Sequence, residues 1–220
     1  VPLLRHPAVP YVLPYLIFIA LLALQMAVPV PVWLRFAVCM AVILAVSRAP
    51  LRGGPSKPLA SVLIGILVFI LWVGPDWIVP GWHHTILFDN SIMGHPAGNT
   101  PPASQTDPVF LLFRVAVSVI AVPVIEELFW RGWLMRWLIH AKHFEQTPLG
   151  AYAPAAFWIV ALLFASEHGS FWDVGLAAGV VYNIWMIRTR NLWDCIIAHA
   201  VTNGILAAYV IAAGQWQYWL

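Results

Sequence analysis

Charge is what this sequence has least of. Of its 220 residues, 11 are Lys or Arg and 9 are Asp or Glu, so 9% are charged. Soluble domains carry about 25%, and so few charges do not cover a water-facing surface. An ordinary soluble protein is thereby excluded. There is no basic run of the kind that grips phosphates, so nucleic acid is not an expected partner. Cysteine is down to Cys39 and Cys195, both inside apolar stretches, which points to buried thiols and not to a disulfide. The sequence also has no G-x-S-x-G elbow, no H-E-x-x-H helix and no Walker loop. Serine-hydrolase, zincin and P-loop chemistry therefore find no support.

What the chain does have is apolar surface. Hydrophobic residues make up 62% of it, and 13 are Trp. Apolar stretches approach or exceed the roughly 17 residues needed to cross a bilayer. Trp33, Trp77, Trp82, Trp172, Trp193, Trp216 and Trp219 fall near their ends, where the indole favours the membrane interface. The expected fold is all-α, a polytopic transmembrane helix bundle. Spans are read at 11–30, 32–47, 59–74, 108–125, 153–168, 173–188 and 193–213. The run from Tyr11 to Val32 is too long and too proline-broken for a signal peptide and reads as the first helix. The stretch 108–140 is helical throughout, about 50 Å at 1.5 Å per residue, too long for one crossing. A kink at Pro123 is expected to resolve this. The reading is seven spans, with eight as the alternative.

Basic residues orient the chain. Arg5, Arg48, Arg52, Lys57, Arg136, Lys142, Arg188 and Arg190 all fall on one side of a seven-span arrangement. By the positive-inside rule this puts the N-terminus in and the C-terminus out. Arg35 alone sits at the wrong end, and Arg114 lies one or two turns into a span, from which it could snorkel. The segment 75–107 is rich in Pro, Gly, Asn, Ser and His and has no Lys or Arg. It reads as a solvated extracytoplasmic loop. Its His83, His84, Asp89 and His95 lack the tight spacing of a metal site. There is no internal repeat, and one transmembrane domain is expected over 1–220, with N-terminal spans and the loop in 1–107 and a motif-bearing core in 108–213.

An ionisable group within a span costs at least about 2.5 kcal/mol at its centre, so each needs a reason. Three clusters stand out. In Val-Ile-Glu126-Glu127-Leu-Phe-Trp-Arg131, Glu127 and Arg131 are four apart and share a helix face. Glu126 points about 140° away from Arg131. Arg131 therefore neutralises Glu127 and leaves Glu126 free as a candidate general base. Phe164-Ala-Ser-Glu-His168 closes the fifth span with an imidazole. His199-Ala-Val-Thr-Asn203 sets an imidazole and an amide on one face of an otherwise apolar helix. Together these supply a base, two imidazoles and an amide donor, a set able to activate water and stabilise an oxyanion.

In that order, E-E-x-x-x-R, F-x-x-x-H and H-x-x-x-N resemble the CPBP family of CAAX proteases and bacteriocin-processing enzymes (also called Abi), with its Rce1-type endopeptidases. The apolar, Trp-rich chain is also similar to the bacterial CAAX-protease-related proteins associated with exosortase and PEP-CTERM sorting. The resemblance implies an intramembrane glutamate-dependent protease of a bacterial inner membrane, acting on a membrane-associated protein or peptide without metal or other cofactor. It implies that Glu126 and His168 activate the water, that His199 and Asn203 stabilise the oxyanion, and that Glu127 and Arg131 hold the site together. Two other readings stand beside it: a metal-dependent hydrolase or transporter using Glu126, His168 and His199, and a non-enzymatic scaffold or immunity protein. Straight spans would put His168 near the outer end and His199 about 13 Å in from the cytoplasmic side. The site closes only if helices tilt, the fifth span enters late, or the sixth is short.

Overall fold

Among the described residues, apolar runs broken by proline fold into seven main helices. In this computed structural model, residues 5–98 and 100–219 are described. Val1 to Leu4, Asn99 and Leu220, which the single-domain expectation includes, lie outside the described residues. The helices are α1 (Val9–Gln25), α2 (Val32–Val46), α3 (Pro58–Ile78), α4 (Pro108–Trp137), α5 (Pro154–Ser166), α6 (Trp172–Thr189) and α7 (Leu192–Ala213). Among the described residues there is no strand, only an isolated bridge between Asn90 and Gly94.

Four segments are long and apolar enough to cross a membrane: Pro58–Ile78, Pro108–Trp137, Gly169–Thr189 and Leu192–Ala213. α1, α2 and α5 are apolar but shorter. The starts follow from local chemistry. Pro58, Pro108 and Pro154 open α3, α4 and α5, where a missing N–H costs nothing. The Asp107 carboxylate accepts from the Val109 and Phe110 amides, and the Asn191 side chain accepts from Trp193 and Asp194.

α3 and α7 form the most extensive helix pair, and α5 packs on α6. Gly65 permits the first contact. A Cβ there would stand 2.5 Å from the Ala198 carbonyl oxygen, so the backbones approach only because that carbon is missing. Cys39 and Cys195 are both free and buried.

α4, in which a kink at Pro123 is expected, is not uniformly α-helical. It carries two π-helical turns, Val117–Ala121 and Leu128–Leu134, on either side of the Glu126–Glu127 pair. Pro123 also has a local effect on hydrogen bonding. The Val122 amide donates to Val117 O, so the π register would next pair Ser118 O with residue 123. Proline has no N–H to offer. The Ser118 carbonyl is thus left for a side chain, and Asn203 Nδ2 donates to it at 2.8 Å.

The segment 75–107 also differs from a solvated loop. α3 runs through Pro75 to Ile78, and His83 and Phe88 are buried. A charged network, described below, holds His83 inside.

Candidate active site

The site is built around Glu127 and Arg131, whose side chains are both 0% exposed. One helical turn apart on α4, they meet at 3.1 Å between Arg131 Nη1 and Glu127 Oε1. A guanidinium this deep needs every donor directed. Arg131 Nε donates to Asn183 Oδ1 at 3.0 Å and Nη2 to the Gly179 carbonyl at 3.3 Å, both on α6. Its plane lies over the Phe164 ring, 4.6 Å from the centroid. Asn183 in turn donates to Phe157 O on α5 at 2.9 Å. One ion pair therefore ties α4, α5 and α6 together.

Glu127 has a second partner that sequence spacing does not reveal. His199 Nδ1 lies 3.0 Å from the same Oε1, and because a carboxylate accepts, the imidazole N–H donates. The His199 ring stacks on Tyr182, with centroids 5.1 Å apart and planes 24° apart. Tyr182 donates its hydroxyl to Thr202 Oγ1 at 2.8 Å, and that oxygen lies 2.9 Å from Gly65 O. Glu127 Oε2 is buried with no hydrogen-bond partner among the described residues.

Glu126 faces away from Arg131. Its Oε2 stands 4.0 Å from His199 Nε2, beyond hydrogen-bond length, and is buried without a partner among the described residues. It borders a cavity of about 260 Å³ that His168, His199 and Asn203 also line. All four residues singled out for the chemistry thus border one space.

His168 follows α5, which has only 13 residues, about 20 Å of rise. The Phe164 ring neighbours both imidazoles, 4.8 Å from His168 and 6.1 Å from His199, centroid to centroid. His168 Nδ1 is 2.7 Å from Phe164 O. A carbonyl can only accept, so Nδ1 carries the proton and Nε2 is left as an acceptor. Gly175 on α6 makes room for this ring: a Cβ there would stand 3.0 Å from His168 Nδ1.

Asn183, Tyr182 and Gly179 escape a reading based on charge alone. Asn183 carried a signal, since an amide inside an apolar helix is the same anomaly that drew attention to Asn203. A second network was also missed. His83 Nδ1 is 2.6 Å from Asp76 Oδ2 and its Nε2 is 3.0 Å from Asp173 Oδ1. Trp82 Nε1 donates to Asp173 Oδ2 at 2.9 Å, and Tyr218 donates to Asp76 Oδ2 at 2.9 Å. Burial works against a charged imidazole here, but the hydrogen bonds to Asp173 and Asp76 outweigh it and raise the His83 pKa above its ordinary value. Among the described residues, no group of three His, Cys, Asp or Glu side chains is arranged to hold a metal ion.

Four long apolar helices surrounding buried ionisable groups define a multi-pass membrane protein with an internal polar site. Residues 108–205, which carry that site, match the family model described as type II CAAX prenyl endopeptidase Rce1-like. No curated protein and no solved structure matches the chain.

Proposed function

We propose that the chain is an intramembrane glutamate-dependent endopeptidase that hydrolyses a peptide bond of a membrane-associated protein. The supporting observation is Glu126 Oε2, buried and unpartnered beside a cavity that His168, His199 and Asn203 also line. An unpaired polar atom at a polar cavity is a place for water.

In this reading Glu126 takes a proton from that water, with His168 Nε2 as the second acceptor that aligns it. The hydroxide adds to the carbonyl carbon, and the π electron pair moves onto oxygen. Asn203 has one amide hydrogen on Ser118 O and the other left for the oxyanion. His199 donates from Nε2. It already donates from Nδ1 to Glu127, so it acts as an imidazolium, and the two flanking carboxylates offset that charge. The intermediate then collapses, the C–N bond breaks, and the amine leaves with the proton held by Glu126. Glu127 and Arg131 contribute by fixing His199 against α4 and α6.

The same reading takes all seven apolar helices as spans of one domain in a bacterial inner membrane, N-terminus in and C-terminus out. The test is cleavage of a membrane-anchored fluorogenic peptide by the purified chain in liposomes. Glu126→Gln is expected to lower turnover by about 100- to 10,000-fold while the thermal midpoint stays within about 2 °C. Turnover that survives the substitution overturns the assignment of the base.

A further inference from the structure

Arg35 is a buried charge that the fold does not neutralise. It sits on α2, is 6% exposed, and its Nε is buried with no hydrogen-bond partner among the described residues. Among those residues it makes no ion pair. It is also the one basic residue at the wrong end of a span for the positive-inside pattern. An uncompensated charge among apolar helices is strongly unfavourable, so a missing anion is the simplest account of its position.

The surroundings indicate which anion. Arg35 lines a cavity of about 580 Å³ between α1, α2 and α4, bounded also by Pro101 and Ser104. Arg114 of α4 borders the same space, and among the described residues no acidic side chain does. The rest of the wall is largely apolar, with Phe18 and Leu22 from α1 and Phe110 from α4. Met26, at the α1 end of this wall, is 91% exposed. A basic head region with apolar flanks complements an amphiphile with an anionic head. The guanidinium fork matches phosphate oxygens in pairs, and basic pockets between membrane helices hold lipid headgroups.

We propose that this cavity binds the phosphate of an anionic membrane lipid, with its acyl chain along Phe18, Leu22 and Phe110. Phe18, Leu22 and Arg114 also line the candidate catalytic cavity, so the bound lipid closes the boundary between the two spaces. The proposal concerns binding alone and stands apart from whether the neighbouring site cleaves peptides.

The test is thermal unfolding of the purified chain in a neutral detergent, titrated separately with dioctanoyl phosphatidylglycerol, dioctanoyl phosphatidylcholine, inorganic phosphate and a peptide with a free C-terminal carboxylate. Phosphatidylglycerol at ten times its dissociation constant is expected to raise the midpoint by about 4 °C. Phosphatidylcholine and phosphate at the same concentration are expected to do far less. Arg35→Gln should weaken the lipid effect by about tenfold or more. Arg35→Lys keeps the charge without the fork, and covers the case in which Arg35→Gln fails to fold; it should weaken binding by about tenfold. An unaltered response in the foldable variant overturns the site. Equal shifts from phosphate alone make it a free-anion site, and a larger Arg35-dependent shift from the peptide makes it a substrate-carboxylate site. Either result overturns the lipid assignment.

Discussion

Two histidines in this protein each lie between two carboxylates, and the difference between them separates a clamp from a reaction centre. His83 is held at 2.6 Å by Asp76 and 3.0 Å by Asp173. All four oxygens of those acids have partners, since Trp82 and Tyr218 take two and the His83 backbone amide donates to Asp76 Oδ1 at 3.3 Å. His199 is held at 3.0 Å by Glu127 but stands 4.0 Å from Glu126, whose Oε2 has no partner among the described residues. A closed charged network contributes rigidity. A buried oxygen left open costs about 1–3 kcal/mol and calls for an explanation, of which catalysis is one. The clamp pins segment 75–107 to the ends of α3 and α6; the open pair borders the cavity that His168 and Asn203 also line.

The comparison breaks most severely at the carboxylate paired with Arg131. Glu127→Ala leaves Arg131 buried without a counter-charge and is expected to destabilise the protein by about 3–5 kcal/mol, read as a midpoint lowered by roughly 10 °C. Its neighbour Glu126, which makes no hydrogen bond to lose among the described residues and stands 4.0 Å from His199, should show a much smaller drop on conversion to Gln. If the two substitutions lower the midpoint equally, the contrast is wrong.

The clamp comes next. His83→Ala removes two charge-assisted hydrogen bonds between partly exposed acids, for an expected loss of about 2 kcal/mol. It should also change the pH dependence. The folded-state pKa of His83 is raised, so its stabilisation is fully present below the unfolded value near 6.5 and is lost as pH rises through the higher folded value. Midpoints measured from pH 6 to 9 should fall for the parent and fall less for the variant.

Gly175→Ala sharpens the role of the His168 ring position. The new Cβ would press on Nδ1 from 3.0 Å and force the imidazole to shift. Stability should drop by about 1 kcal/mol, and turnover of the anchored peptide by about tenfold. The smallest effect belongs to Tyr182→Phe, which keeps the stacking on His199 and removes only the hydroxyl bond to Thr202. About 1 kcal/mol or less is expected, measured as denaturant or thermal stability.

Much of this was legible along the chain. The apolar runs mark where the helices lie, because only a helix satisfies the backbone of an apolar segment within itself. The Glu127–Arg131 pair follows from a spacing of four, and the direction of Glu126 from a spacing of five. Other features were hidden because their causes are not local. Pro123 reads as a kink, yet its effect depends on a π register that no residue pattern announces. His83 reads as a loop histidine, because Asp173 lies 90 residues away. The sharing of Glu127 between Arg131 and His199 spans 72 residues.

By itself, then, the sequence determined the class of solvent, the helical segments and the identity of the groups that require a reason to be buried. Those are matters of composition and of periodicity within a few turns. Only the tertiary structure decided which histidine has both carboxylates at hydrogen-bond distance and which faces an open carboxylate oxygen, and that Arg35 is buried with no ion-pair partner among the described residues. Those outcomes depend on distances of a few ångströms between segments far apart in the chain. The packing sets them, through the absent carbons of Gly65 and Gly175 and the short rise of α5.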